Sequence, residues 1–208
     1  MEIIPSILTS SVDEVDKRLK SIQGLNLNVQ IDFMDGQFVE TKSVLPEDLP
    51  EGIKYITWEA HLMVQDPLSW SRSLYGLGCQ RIYWQVEVLH SGIDLPSIST
   101  KIEHGLALKL ETSIDSIESY LPYLKSVLFL SIQKPGYQNE KFEESIYDKI
   151  KELKYRYPKI KITVDGGVKI EHMKPLSRLG VDRVAVGSAF WQYGDPKTVL
   201  SAFRQATL

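Results

Sequence analysis

Two aspartates close short β-branched runs, Asp32 after Val29-Gln30-Ile31 and Asp165 after Ile162-Thr163-Val164. Two carboxylates facing one small substrate from opposite sides can remove a proton on one face and return one on the other. Taken singly, each can instead cap a loop or pair with a neighbouring base. Gln30 and Asp32 stand two apart, so they share one side of a strand and can face the same cavity. His61 closes a third run, Trp58-Glu59-Ala60. One imidazole and two carboxylates can hold a divalent ion, although a lone strand-end histidine more often bonds a backbone carbonyl. His90, His104 and His172 fall in loops or on helix faces and are expected to be solvated.

Small residues form a second group. Gly166-Gly167 follow Asp165, and Gly187-Ser188 follow the run Val184-Ala185-Val186. Glycine lets an oxyanion approach backbone N–H groups because no Cβ intervenes. A tight turn is the plainer reading of Asp165-Gly166-Gly167, but its place on the seventh strand run, matched by Gly187-Ser188 on the eighth, makes a phosphate site the better one.

The elements that must position these residues alternate between two periods. Runs at 3–8, 27–32, 54–61, 81–88, 105–110, 127–132, 160–165 and 183–187 read as strands. Amphipathic stretches lie between them. Val12, Val15, Leu19 and Ile22 make the apolar stripe of a first helix, with Ser11 as its N-cap. Asp66-Pro67 and Asp195-Pro196 each put a capping residue before a proline at the first helical position. Further helices are expected from Ser113 or Asp115 to about 125, and over 143–157. The helix over 94–104 is the weakest, and 41–52, with two prolines and a glycine, reads mainly as loop.

Eight strand–helix alternations predict an α/β protein, a single (β/α)8 TIM barrel occupying residues 1–208 as one domain. The open doubly wound sheet calls for a glycine-rich turn after the first strand. Here Thr9-Ser10-Ser11 follows instead. In such barrels chemistry gathers at the C-terminal strand ends, and phosphate is commonly held after the seventh and eighth strands. Asp32, His61, Asp165 and the glycine pairs all fall at those ends.

Composition excludes other classes. Lys and Arg total 24 against 27 Asp and Glu, a formal charge of −3, which leaves no basic footprint for nucleic acid or anionic membrane. One cysteine, Cys79, cannot make an intramolecular disulfide. The apolar run 126–132 is too short to span a bilayer. MEIIPSILTS lacks the basic-then-apolar pattern of a secretory leader, so the expectation is a soluble cytoplasmic protein.

Six ordered segments together resemble the ribulose-phosphate 3-epimerase family: Ile4-Pro5-Ser6-Ile7-Leu8, Ile31-Asp32-Phe33-Met34-Asp35-Gly36-Gln37-Phe38-Val39, His61-Leu62-Met63-Val64, Pro135-Gly136-Tyr137 with Lys141-Phe142, Val164-Asp165-Gly166-Gly167-Val168 and Val186-Gly187-Ser188-Ala189. The resemblance implies interconversion of ribulose 5-phosphate and xylulose 5-phosphate, with Asp32 and Asp165 as the two acid/bases and, with His61, as metal ligands. It also implies that Ser6, His61, Met34, Met63, Gly136, Gly166, Gly167, Gly187 and Ser188 meet the substrate, and that the protein is a homo-oligomer.

This chain departs from the family at the site itself. Gln30 replaces one metal histidine, Gln85 replaces a fourth-strand histidine, and Tyr137-Gln138-Asn139-Glu140 replaces a glycine-rich loop. Glu140 brings negative charge toward the expected phosphate, and Lys134 is the nearby cation that offsets it. Gln30 offers only an amide oxygen, so the donor set is oxygen-rich and favours a harder ion such as manganese or magnesium. The implied cofactor is a divalent metal (zinc, iron or manganese) if the incomplete site still binds one, and none otherwise. Three readings follow: an epimerase acting by two-base transfer, a catalytically impaired relative that binds a sugar phosphate or protein partner, and a related barrel enzyme in which Lys109 or Lys134 replaces the metal charge. Lys109 on strand five can face inward or pair with Glu87 or Glu111.

Overall fold

A computed structural model of the chain describes residues 1–89, 102–192 and 194–207. Eight parallel strands close on themselves in chain order: β1 (Glu2–Ile7), β2 (Asn28–Met34), β3 (Thr57–Met63), β4 (Arg81–Gln85), β5 (Glu103–Leu108), β6 (Ser126–Leu130), β7 (Lys161–Asp165) and β8 (Arg183–Val186). The closing pair is β1 with β8. This is the (β/α)8 barrel that the alternation predicts.

Outside run α1 (Val12–Ser21), α2 (Pro67–Leu74), α3 (Ile146–Arg156), α4 (Ile170–Arg178), the short α5 (Ser188–Trp191) and α6 (Pro196–Gln205). The expected caps are in place: Ser11 accepts from the Glu14 N–H, Asp66 from Ser69 and Asp195 from Thr198. The segment read as a helix from Ser113 or Asp115 forms instead as a 3₁₀ helix, Ile114–Tyr123, started by Ser113 and containing Pro122. Residues 94–101 of the weakest predicted helix, and His90, lie outside the described residues.

Helix faces carrying Val15, Leu19, Ile150, Leu153 and Phe203 pack on outward strand residues such as Phe33, Trp58, Trp84 and Phe129, making the main apolar core. The barrel interior differs. Among the described residues its separate apolar cluster is Tyr83, Ala107, Leu128 and Leu130. At the N-terminal end the interior is filled by charge. Arg81 bonds Glu59 and Glu103, Ser126 donates to Glu103 at 2.8 Å, and Arg183 donates to the Tyr83 hydroxyl at 3.1 Å. Gly105 admits that tyrosine: a Cβ there would fall 2.5 Å from the Tyr83 ring. With its foot sealed, the barrel can hold a ligand only toward the C-terminal ends of its strands.

Candidate active site

Strand register builds the site. In the β2–β3 pair Asp32 lies opposite His61, and in β6–β7 Leu130 lies opposite Asp165. The imidazole Nδ1 of His61 stands 3.4 Å from Asp32 Oδ1 and 3.4 Å from Asp165 Oδ2. Gln30, fully buried one layer below, donates from Nε2 to the same two oxygens, at 2.7 Å each. Gln85 holds the far side of the ring, its Nε2 lying 2.8 Å from His61 Nε2. The two glutamines that depart from the family therefore bind the ionisable residues directly.

Burial pushes the Asp32 carboxyl up to about 6; the nearby His61 ring opposes this, while the charge of Asp165 reinforces it. Burial works against a charge on His61, but the close approach of Asp165 and Asp32 to Nδ1 outweighs it and raises the ring to about 9. The ring's place between two acidic side chains thus favours its charged form, and Gln30 ties those side chains together.

The donor set can accept a divalent ion. Asp32, His61 and Asp165 offer ligand atoms within 4.8 Å of one another. Their 3.4 Å nitrogen–oxygen spacing is that of neighbouring ligands around an ion bound at about 2.1 Å. His61 Nδ1 and Gln30 Oε1 are buried without a hydrogen-bond partner. Turning the Gln30 amide by half a turn presents Oε1 to the ion and leaves Nε2 as the unpartnered atom, so the fourth ligand comes at a cost.

Above this cluster a cavity opens at the C-terminal mouth. Ser6, Asp32, His61, Met63, Gly136, Asp165, Gly166, Gly167, Gly187 and Ser188 all line it, as do Tyr137, Gln138, Asn139 and Glu140. Met34 does not; its sulfur accepts a hydrogen bond from Thr41 at the edge of the β6 loop. Gly167 has a local duty. Its φ is +63°, and a Cβ would stand 2.6 Å from the Phe142 nitrogen, so glycine lets the loop after β6 close over the loop after β7.

Several readings of single residues change. Lys109 follows the end of β5 and does not line the cavity; its Nζ sits 4.4 Å from the centre of the Phe38 ring. Lys134 does not line the cavity. Arg18 does, a residue that helix periodicity marks as an ordinary solvated position. Its place shows only when α1 is packed beside α5. His104 lies on β5 against Trp84, and burial pushes it down to about 4. His172 stacks on Phe142 at 4.0 Å and accepts the Lys169 N–H. Both are packed rather than solvated.

A closed α/β barrel with a carboxylate–imidazole cluster at the floor of its mouth cavity defines the class. Within that class the chain belongs to the ribulose-phosphate 3-epimerase family, whose model matches residues 2–191. The ribulose-phosphate 3-epimerase of Bacillus subtilis is 27% identical over 98% of this chain and 98% of its own length. That of Eremothecium gossypii is 24% identical over 96% and 90%. Among solved structures, 3-hexulose-6-phosphate synthase from Salmonella typhimurium matches 100% of this chain and 98% of its own with a TM-score of 0.73 at 18% identity, a likeness of fold.

Proposed function

We propose that the protein epimerises a ketopentose phosphate at C3, interconverting ribulose 5-phosphate and xylulose 5-phosphate, with Asp32 and Asp165 as the two proton carriers. The supporting observation is the pairing of these carboxylates at the cavity floor, each held by one oxygen to Gln30. No hydrogen bond among the described residues engages the other oxygen of either, Asp32 Oδ2 or Asp165 Oδ1. Each aspartate therefore keeps an oxygen for the substrate.

C3 lies beside a carbonyl, so its proton is acidic enough for a carboxylate to remove. One aspartate takes that proton, the other delivers one to the opposite face, and the configuration inverts. Raising Asp32 to about 6 brings its two protonation states close in energy at neutral pH, which suits a group that must both accept and give. Gln30 fixes the carboxylates at one separation, and Gln85 fixes the imidazole. A divalent metal, when bound by Asp32, His61, Asp165 and the Gln30 amide oxygen, would offset the negative charge developing on the substrate oxygens. The protonated His61 ring carries positive charge at the same place in its absence.

A second reading is favoured by the Gln30 bridge, which fills the space between the carboxylates with an amide NH₂. On that reading the protein binds a sugar phosphate without turnover. The test is solvent deuterium incorporation at C3 of ribulose 5-phosphate, with and without manganese, zinc or iron. Exchange that disappears in Asp32→Asn and Asp165→Asn supports the epimerase; no exchange under any metal at high protein concentration rejects it in favour of the binder. Action in the cytoplasm as a homo-oligomer belongs to the same proposal.

A further inference from the structure

The mouth cavity is lined by three carboxylates, Asp32, Glu140 and Asp165, yet a phosphorylated ligand brings further negative charge. Among its described lining residues, Arg18 is the sole lysine or arginine. We propose that Arg18 is the anion-recognition residue of this site, its guanidinium gripping the phosphate monoester of the ligand beside Gly187 and Ser188. This deepens the function proposed above, resting on its view of the cavity as a sugar-phosphate site.

Arg18 projects from α1, and side chains on a helix lean toward its N-terminus, here toward the mouth. Its Nε donates to Glu14 at 2.8 Å, and its guanidinium carbon lies 5.2 Å from the centre of the Trp191 ring. Trp191 closes α5, the turn opened by Ser188, and its indole N–H donates to the Ser6 carbonyl at 2.7 Å. The head group is thus clamped between the elements after β1 and β8. Only 14% of the side chain is exposed. Even so, neither Nη makes a hydrogen bond or ion pair among the described residues.

The two Nη groups keep four N–H donors open toward the cavity with no acceptor among the described residues, and a phosphate can take them. The planar fork matches two oxygens of a phosphate, and stacking on an indole face fixes the plane without using those donors. Glu14 uses Nε alone, so it orients the fork and leaves the two Nη groups available. A purely structural arginine would be served as well by a side chain that packs on Trp191.

The experiment is calorimetric titration of the full chain with inorganic phosphate, D-ribulose 5-phosphate and unphosphorylated D-ribulose, on wild type, Arg18→Met, Arg18→Lys and Glu14→Gln. The expected result is a loss of at least about tenfold in affinity for both phosphates in Arg18→Met, with D-ribulose affinity unchanged. Arg18→Lys keeps the charge without the fork and falls between. Glu14→Gln, which loosens the orientation of the fork and keeps the guanidinium, weakens phosphate binding less than Arg18→Met does. Melting temperatures identify any variant that fails to fold, in which case Arg18→Lys decides. Equal phosphate affinity in wild type and the Arg18 variants overturns the proposal, as does a wild type that binds neither phosphate. Arg18-dependent phosphate binding without deuterium exchange at C3 leaves Arg18 standing and rejects the epimerase.

Discussion

Gln30 Nε2 and Asp165 Oδ2 are joined by a 2.7 Å hydrogen bond across the barrel floor, although 135 residues separate them in the chain. The same nitrogen reaches Asp32, so one amide sets the spacing of both carboxylates. An amide in this position stands between two outcomes. Its NH₂ ties the carboxylates together, whereas its oxygen, turned inward, is a weak fourth ligand.

Gln30→His therefore exchanges the tie for a ligand. Affinity for manganese or zinc is expected to rise about tenfold to a hundredfold, read by calorimetry and by metal content of the purified protein. Unchanged metal affinity would mean that the fourth position is not the weak point of the site.

Asp32→Asn and Asp165→Asn are each expected to lower the C3 exchange rate by about 10²–10⁴-fold while leaving the far-ultraviolet circular dichroism unchanged. With the Asp32 carboxyl at about 6, kcat/KM of metal-free wild type loses rate as pH falls through that value. A bound cation favours the ionised carboxylate, so metal loading moves this limb to lower pH. A limb that stays put with and without metal would place the ion elsewhere.

His61 is raised from its ordinary 6.5 to about 9 in the folded protein. A group whose folded value is raised contributes stability fully below the unfolded value and loses it as pH climbs through the folded one. The melting temperature of metal-free wild type should therefore fall between pH 7 and pH 10 more steeply than that of His61→Gln, a comparison that removes the contribution of other titrating groups. Metal at Nδ1 must displace that proton, so metal affinity rises with pH over the same interval. Parallel melting curves for the two proteins would contradict the charged ring.

Gly167→Ala forces a Cβ against the Phe142 nitrogen at a left-handed backbone position. The expected cost is about 1–3 kcal/mol, read from chemical denaturation. Ligand binding should weaken too, because Glu140 and Asn139 line the cavity on the displaced loop. A neutral effect would show that the loops yield freely.

The barrel was legible because its two periods alternate cleanly, and Asp32, His61 and Asp165 were legible because each ends a strand run. Periodicity cannot report contacts between distant elements. Arg18 carries no signal in the helix pattern, and nothing local marks Trp191 as its platform. Gln30 reads as a lost ligand and Gln85 as a lost fourth-strand histidine, while their actual bonds depend on where a neighbouring strand's side chains point. His104 was misplaced because β5 begins at Glu103, two residues before the apolar run that announces it. The 3₁₀ conformation of Ile114–Tyr123 accommodates Pro122 within a segment whose apolar stripe alone looks α-helical.

Arg81, Glu59, Glu103, Tyr83 and Arg183 stopper the foot of the barrel, which leaves traffic through it a single doorway. A molecule that enters must leave over the same threshold, so discharge and admission take turns. A bulky analogue lodged there would stop both directions at once.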